Sequence, residues 1–291
     1  MKTILFTIMA LLAFAGNSIL CRLAIGDNTI DAASFTSIRL FSGIVVLFVI
    51  LKLAQAKIVQ PKSTVTSKGS WSAAFMLFLY AIAFSYAYLS LDTGTGALIL
   101  FASVQITMIA VGIYLGNKLR LVEWLGVLVS FSGFIYLVFP ELTSPSLLGF
   151  VLMTVAGIAW GFYSLAGKKS ENPLSDTTYN FMRTIPFVVI LMAFTIQNIN
   201  LSTEGIVLAI ISGGITSGIG YTLWYLALGG LSGTQAAVVQ LLVPVLAGLG
   251  GVVFANEFLS ARLVVSSIII LGGILMVILG KSYVEQDRKP S

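Results

Sequence analysis

Of the 291 residues, 58% are apolar and 9% are charged, against about 45–50% and about 25% in an ordinary soluble domain. So few charges cannot clothe a water-exposed surface, which excludes a soluble globular protein. The charges fall in short clusters between apolar runs of roughly 20 residues, the helical length that crosses a hydrocarbon core. These runs are continuous and rich in Leu, Ile, Val, Ala and Gly rather than alternating, so they read as helices and not as strands of an outer-membrane barrel. The formal charge of +5 is spread over many short clusters, a topology signal rather than the footprint of a nucleic-acid partner. Cys21 is the single cysteine, so no intrachain disulfide can form, and histidine, the commonest proton shuttle and metal ligand, is absent.

The apolar runs predict an all-α integral membrane protein of ten transmembrane helices, near residues 3–21, 32–53, 70–89, 93–115, 123–139, 147–167, 177–196, 205–227, 234–254 and 261–281. With a cytoplasmic N-terminus, the inner segments hold Lys2, Lys52, Lys57, Lys62, Lys68, Lys118, Arg120, Lys168, Lys169, Lys281, Arg288 and Lys289. Arg22 and Arg262 lie near outer ends. This bias predicts both termini to be cytoplasmic in a plasma membrane of the bacterial inner-membrane type, with residues 283–291 as a cytoplasmic tail. Lys2, a short apolar run and Ala13-Phe14-Ala15 offer a competing reading of span one as a signal peptide. The run continues past that site, which favours a span.

Taken in chain order, span one carries Asn17, and span two carries Arg39 about eight residues in from its outer end. A charge within the bilayer costs at least about 2.5–3.5 kcal/mol, so Arg39 faces protein or water rather than lipid. On span three Tyr80, Phe84 and Tyr88 recur every four residues and share one helical face. Tyr80 and Phe84 are candidates to line a cavity, whereas Tyr88, near the outer boundary, is assigned to an interfacial aromatic belt. Gly94-Thr95-Gly96 opens span four but lacks the third glycine and the βαβ context of a dinucleotide fingerprint, and no phosphate-binding loop with its lysine suggests an ATP motor. Gln105 lies near the middle of span four. Its amide serves a substrate or a neighbouring helix without the cost of a charge.

Span six brings Trp160 and Tyr163, three residues apart; span seven brings Arg183, about eight residues from its inner end. Span eight clusters Tyr221, Trp224 and Tyr225 beside Gly213, Gly214, Ser217 and Gly218. Span nine holds Gln240 near the midplane, then Pro244 and the small residues Ala247, Gly248, Gly250 and Gly251. Small residues let helix backbones approach closely. Pro244 lacks a donor for the helix ladder and predicts a kink, static or hinge-like, with freed carbonyls near a cavity.

Sliding the chain by 139 residues aligns Tyr86 to Val138 with Tyr225 to Val277 without a gap, matching Thr95 to Thr234, Gly112 to Gly251, Asn117 to Asn256 and Gly133 to Gly272. At a slightly different offset Gly16 meets Gly161 and Arg39 meets Arg183. Spans one to five (residues 1–140) therefore repeat as spans six to ten (146–282), and because five is odd the second copy is inverted, as in many secondary carriers. Gln105 and Gln240 are not partners in this alignment, falling on Pro244 and Phe101.

The stretch Ala15-Gly16-Asn17-Ser18 followed by Arg39, its partner Ala159-Trp160-Gly161 followed by Arg183, and the Gly-Thr-Ala-type openings of spans four and nine resemble the EamA-like family of the drug/metabolite transporter superfamily. The resemblance spans both halves. It implies a ten-helix carrier with a central cavity, in a superfamily that includes exporters of amino acids and carriers of nucleotide sugars and sugar phosphates. It also implies a scaffold role for Arg39 and Arg183, tying down loop carbonyls or helix ends. The alternative is that the pair engages anionic substrate groups or gates opposite faces.

The aromatic candidates favour an amphipathic solute such as an aromatic or branched amino acid, moved outward by alternating access. A nucleotide-sugar or sugar-phosphate exchanger would be expected to show more basic residues about its cavity than two arginines. An intramembrane enzyme would need paired acids, histidines or a metal set at membrane depth, yet all eleven acids fall in loops or at span ends. A non-transporting receptor has little loop surface to work with. No catalytic residue, metal or cofactor is expected; the partners are a small solute and the bilayer, with a homodimer left open.

Overall fold

In hydrocarbon every backbone N–H and C=O must be satisfied within the segment or by a closed sheet, and this chain takes the helical solution. The computed structural model describes residues 2–56, 68–116, 121–138, 147–168, 170–231, 236, 239–240, 242–258 and 260–287. In order come α1 (Lys2–Gly26), α2 (Ala32–Ala56), α3 (Trp71–Ala87), α4 (Thr93–Tyr114), α5 (Leu121–Val138) and α6 (Leu147–Gly167). They are followed by α7 (Pro173–Met182), α8 (Ile185–Thr195), α9 (Thr203–Ile211), α10 (Gly220–Leu228), α11 (Leu242–Phe254) and α12 (Ala261–Asp287). Apart from an antiparallel bridge between Ile30 and Leu201, the described residues form no strand pairing. Lys57, Lys62, Lys118, Arg120, Lys169, Arg288 and Lys289 of the expected orientation signal lie outside the described residues, as do Asn117 and Thr234 of the internal alignment.

Six helices among the described residues are long and apolar enough to cross a membrane, when Pro173–Asn198 and Thr203–Leu228 are each taken as continuous. Trp71–Ala87, Leu121–Gly133, Leu242–Phe254 and Ala261–Met276 are shorter apolar helices. Two of the expected spans are not simple α-helices. The seventh is broken between α7 and α8, where Arg183 caps α7 and Pro186, in the first turn of α8, has no N–H for the ladder. The eighth contains a π-helical segment, Ser212–Ile219, between α9 and α10. In sequence this is Ser-Gly-Gly-Ile-Thr-Ser-Gly-Ile, whose glycines tolerate the altered winding. At the other end α12 continues past the expected limit of span ten to Asp287.

First-half helices pack mainly on second-half helices: α1 on α9, the π segment, α10 and α11; α2 on α7, α9 and the π segment; α3 and α4 on α6; α4 on α11; and α5 on α12. The outer surface is apolar, with Phe41 63% and Leu128 62% exposed, while Asn17 and Arg39 are each 1% exposed. Polar inside and apolar outside is the distribution that a hydrocarbon solvent selects.

Glycines permit the tightest crossing, that of α2 with the π segment. A Cβ on Gly213 would overlap the Arg39 carbonyl oxygen and Ser42 Oγ, and one on Gly43 would enter the Phe181 ring. Gly213→Ala is therefore expected to destabilise the protein by about 1–3 kcal/mol, the usual cost of overpacking. Gly272→Ala, where a Cβ meets nothing within 4 Å, is expected to be neutral. Thermal unfolding of the two variants in detergent checks the contrast.

Candidate functional site

Arg39 sits on α2 at the α2–π crossing and is fully enclosed. Its Nε donates to Ser217 Oγ at 2.9 Å, and its Nη2 donates to Tyr221 OH at 2.6 Å and to Tyr80 OH at 3.2 Å. The guanidinium carbon lies 5.2 Å from the Tyr80 ring centroid and 5.0 Å from that of Phe84, within range of cation–π attraction. Nη1 is buried with no hydrogen-bond partner. The two ion pairs among the described residues both belong to Arg22, so Arg39 is held by hydroxyl dipoles and ring faces rather than by a carboxylate.

Asn17 of α1 completes the polar centre. Its Nδ2 donates to Tyr80 OH at 3.1 Å and Tyr221 OH at 3.2 Å, while its Oδ1 accepts from Ser212 Oγ at 2.6 Å and Thr216 Oγ1 at 3.2 Å. Tyr221 OH donates to Tyr80 OH at 3.1 Å. Rings wall this network: the Trp160 centroid is 4.5 Å from that of Tyr221, 5.0 Å from Tyr80 and 5.4 Å from Tyr163. Trp160 Nε1 donates to Gln240 Oε1 at 3.4 Å, and Gln240 Nε2 to the Ala236 carbonyl at 3.1 Å. Trp224 Nε1 donates to Ser164 Oγ at 3.4 Å.

The structure thus gathers Asn17, Arg39, Tyr80, Phe84, Trp160, Tyr163, Tyr221, Trp224 and Gln240 into one contact network. Gln105 is buried on α4 and lines an apolar crevice of about 150 Å³ with residues of α5 and α12, among them Trp124, Phe131 and Ile274. Pro244 is buried in the first turn of α11. Arg183 stands apart from its expected mate: half-buried, it donates to the Lys68 carbonyl and lies over the Trp71 ring, 5.7 Å from its centroid. The interfacial-belt assignment of Tyr88 is corrected. Tyr88 is wholly buried, stacks edge-on against Phe84 at 4.8 Å and donates to the Thr93 carbonyl at 3.3 Å. The turn from α3 into α4 folds it inward, so the column Tyr80, Phe84 and Tyr88 stays in the interior to its end.

Phe14, Ser212 and Thr216 were not among the residues expected at the site. Phe14 lies 5.3 Å from Trp160 and 5.5 Å from Trp224, ring to ring. It precedes Asn17 by one turn on α1, a spacing that marks a shared face. Ser212 and Thr216 carried no comparable mark, because a hydroxyl in an apolar run is as readily spent on a carbonyl of its own helix, as Thr216 Oγ1 also is on that of Ser212.

Polar clusters tie the halves together away from this centre. Arg22 Nε meets Glu257 Oε1 at 3.2 Å, and Arg22 Nη1 donates to the Tyr88 carbonyl at 3.2 Å. The Glu257 carboxylate also accepts from the Thr93 backbone N–H at 2.9 and 3.0 Å and from Thr93 Oγ1 at 2.8 Å, capping α4 from the other half. Asp31 accepts from the Asn200 backbone N–H at 2.9 Å just before α9, and Asp176 accepts from the Gly69 N–H at 2.7 Å just before α3. Gly69 has φ +63°, a conformation in which a side chain is strained.

A helical bundle with this centre has known relatives. The profile of the EamA-like transporter family matches residues 147–279. An uncharacterized protein of Pseudomonas aeruginosa is 43% identical over 277 residues, covering 95% of this chain and 94% of its own. The chain belongs to the EamA-like transporter family. Membership places it among membrane transporters of small solutes. A further likeness is to an uncharacterized transporter, YoaV, of Bacillus subtilis, 20% identical over 87% of this chain and 89% of its own. One solved crystal structure superposes with a TM-score of 0.66 at 17% identity, covering 95% of this chain and 97% of that one; a likeness at that identity speaks to the fold alone.

In this EamA-like protein Tyr221 is the hub, since its hydroxyl meets Arg39, Asn17 and Tyr80. Tyr221→Phe leaves a buried charged donor short of a partner and is expected to cost about 1–3 kcal/mol. Tyr80→Phe, whose contact with Arg39 is longer at 3.2 Å against 2.6 Å, is expected to cost less. The double variant should fall short of the sum, because either single variant already breaks the bond between the two hydroxyls. Thermal unfolding of the three variants in one detergent is the measurement.

Proposed function

We propose that the chain is a carrier that moves small amphipathic metabolites, such as aromatic or branched amino acids, out through the bacterial inner membrane by alternating access. On this reading ten spans form two inverted halves, residues 1–140 and 146–282, with both termini and the tail 283–291 in the cytoplasm. The observation that carries it is the central network, in which α1, α2 and α3 of the first half meet the π segment and α10 of the second around Asn17, Arg39, Tyr80 and Tyr221. A polar and aromatic core shared between two halves is where a rocking carrier holds its solute.

The packing supports the inverted pairing. Exchanging each first-half span for its second-half mate turns the contact of α1 with α11 into that of α6 with α4, and the contact of α1 with α10 into that of α6 with α3. Asp31 and Asp176 are likewise matched in place, each opening the second helix of its half and each accepting a backbone N–H of the other half. Within this scheme the cluster of Arg22, Glu257 and Thr93 latches the outer face. Arg183, engaged with the Lys68 carbonyl, serves as scaffold.

Counterflow by the purified protein in liposomes preloaded with mixed amino acids tests the carrier reading. Saturable uptake of labelled aromatic and branched species is expected, reduced to the level of empty liposomes by Trp160→Ala. Absence of flux for every amino acid sinks that substrate class. The latch has its own test, because Cys21 is buried and is the sole cysteine. Glu257→Gln removes the closer of the two carboxylates paired with Arg22 and is expected to speed labelling of Cys21 by a membrane-impermeant maleimide added outside; an unchanged rate counts against a gate there.

A further inference from the structure

We propose that Arg39 is the anchor for a carboxylate of the transported solute, and that the site prefers mono-anionic carboxylates with an aromatic or branched tail over zwitterions. This rests on the carrier reading and names the chemistry of its substrate. A guanidinium has five N–H donors in a planar fork and stays charged at any cellular pH. Here it is buried in the bundle with Nε and Nη2 engaged by neutral hydroxyls, Nη1 unpartnered and no carboxylate of the described residues paired with it. Burying an ion without a counter-charge is costly, and leaving donors unmade adds to that cost. A structural arginine is usually neutralised by an acid or saturated by backbone carbonyls, as Arg183 is engaged by that of Lys68. Arg39 is neither.

The complement of such a group is a compact oxyanion, which the fork meets in bidentate fashion. The rings of Trp160, Tyr163, Tyr221 and Phe14 provide the apolar wall for a tail. A mono-anion leaves the centre neutral. A zwitterion leaves one net positive charge there, because nothing anionic pairs with Arg39 to balance its ammonium group.

The test uses the intact wild-type protein in liposomes and three probes that share a phenyl tail: 3-phenylpropanoate, phenylalanine and 3-phenylpropanamide. Counterflow of the acid is expected to exceed that of the amide by at least about tenfold, in line with the worth of a charge-assisted hydrogen bond, with phenylalanine between them. Arg39→Gln is expected to bring the acid down to the level of the amide, and Arg39→Lys to retain part of the preference. Equal transport of acid and amide by the wild type overturns the proposal whatever the variants do, and so does preference for phenylalanine over the acid. Refusal of all three probes and of the mixed amino acids sinks the amphipathic-solute class on which this proposal rests, which separates that failure from this one.

Discussion

A guanidinium does not release its proton at any pH a cell meets, so an arginine built into the middle of a membrane protein remains an ion in a medium that solvates ions poorly. The interior of this protein is organised around that constraint. Two tyrosine hydroxyls, a serine and two ring faces surround Arg39, and their helices are thereby fixed relative to one another. Tyr80 and Tyr221 then orient Asn17, whose carbonyl draws in Ser212 and Thr216.

The π winding of Ser212–Ile219 follows from the same demand. In an α-helix residues five apart stand roughly 140° apart around the axis, whereas i→i+5 hydrogen bonding returns them to nearly the same side. Ser212 can therefore face Asn17 while Ser217 faces Arg39, and one short segment serves two partners on different helices. Glycines at 213, 214 and 218 leave room for α2 to approach closely enough for these bonds to form. Polar satisfaction and close packing are thus one arrangement at this crossing.

Because the centre draws side chains from both halves, its geometry depends on how the halves sit together. The ends are held by contacts of a different kind: Asp31 and Asp176 grip backbone N–H groups across the halves, and Glu257 joins Arg22 to the start of α4. These end contacts are few and polar, while the flanks are apolar and continuous.

Composition and patterning dictate the helical class, since 9% charged residues leave no surface for water and long continuous apolar runs leave no other backbone solution. They also point to Asn17, Arg39 and the aromatic helix faces, because a polar or charged group in an apolar run must turn inward and four-residue spacing aligns a face. Tertiary structure alone decided how those groups meet. Arg39 and Arg183 look equivalent in the internal alignment, yet one is enclosed by hydroxyls and the other reaches a loop carbonyl. Tyr88 lies near a span end, where spacing cannot tell a lipid-facing ring from one folded back under a turn. Phe14, Ser212 and Thr216 joined the site through helix crossing and π winding. Periodicity reports which face of a helix a residue occupies, but partners are set by which helices cross and at what rotation, and that is a property of the assembled bundle.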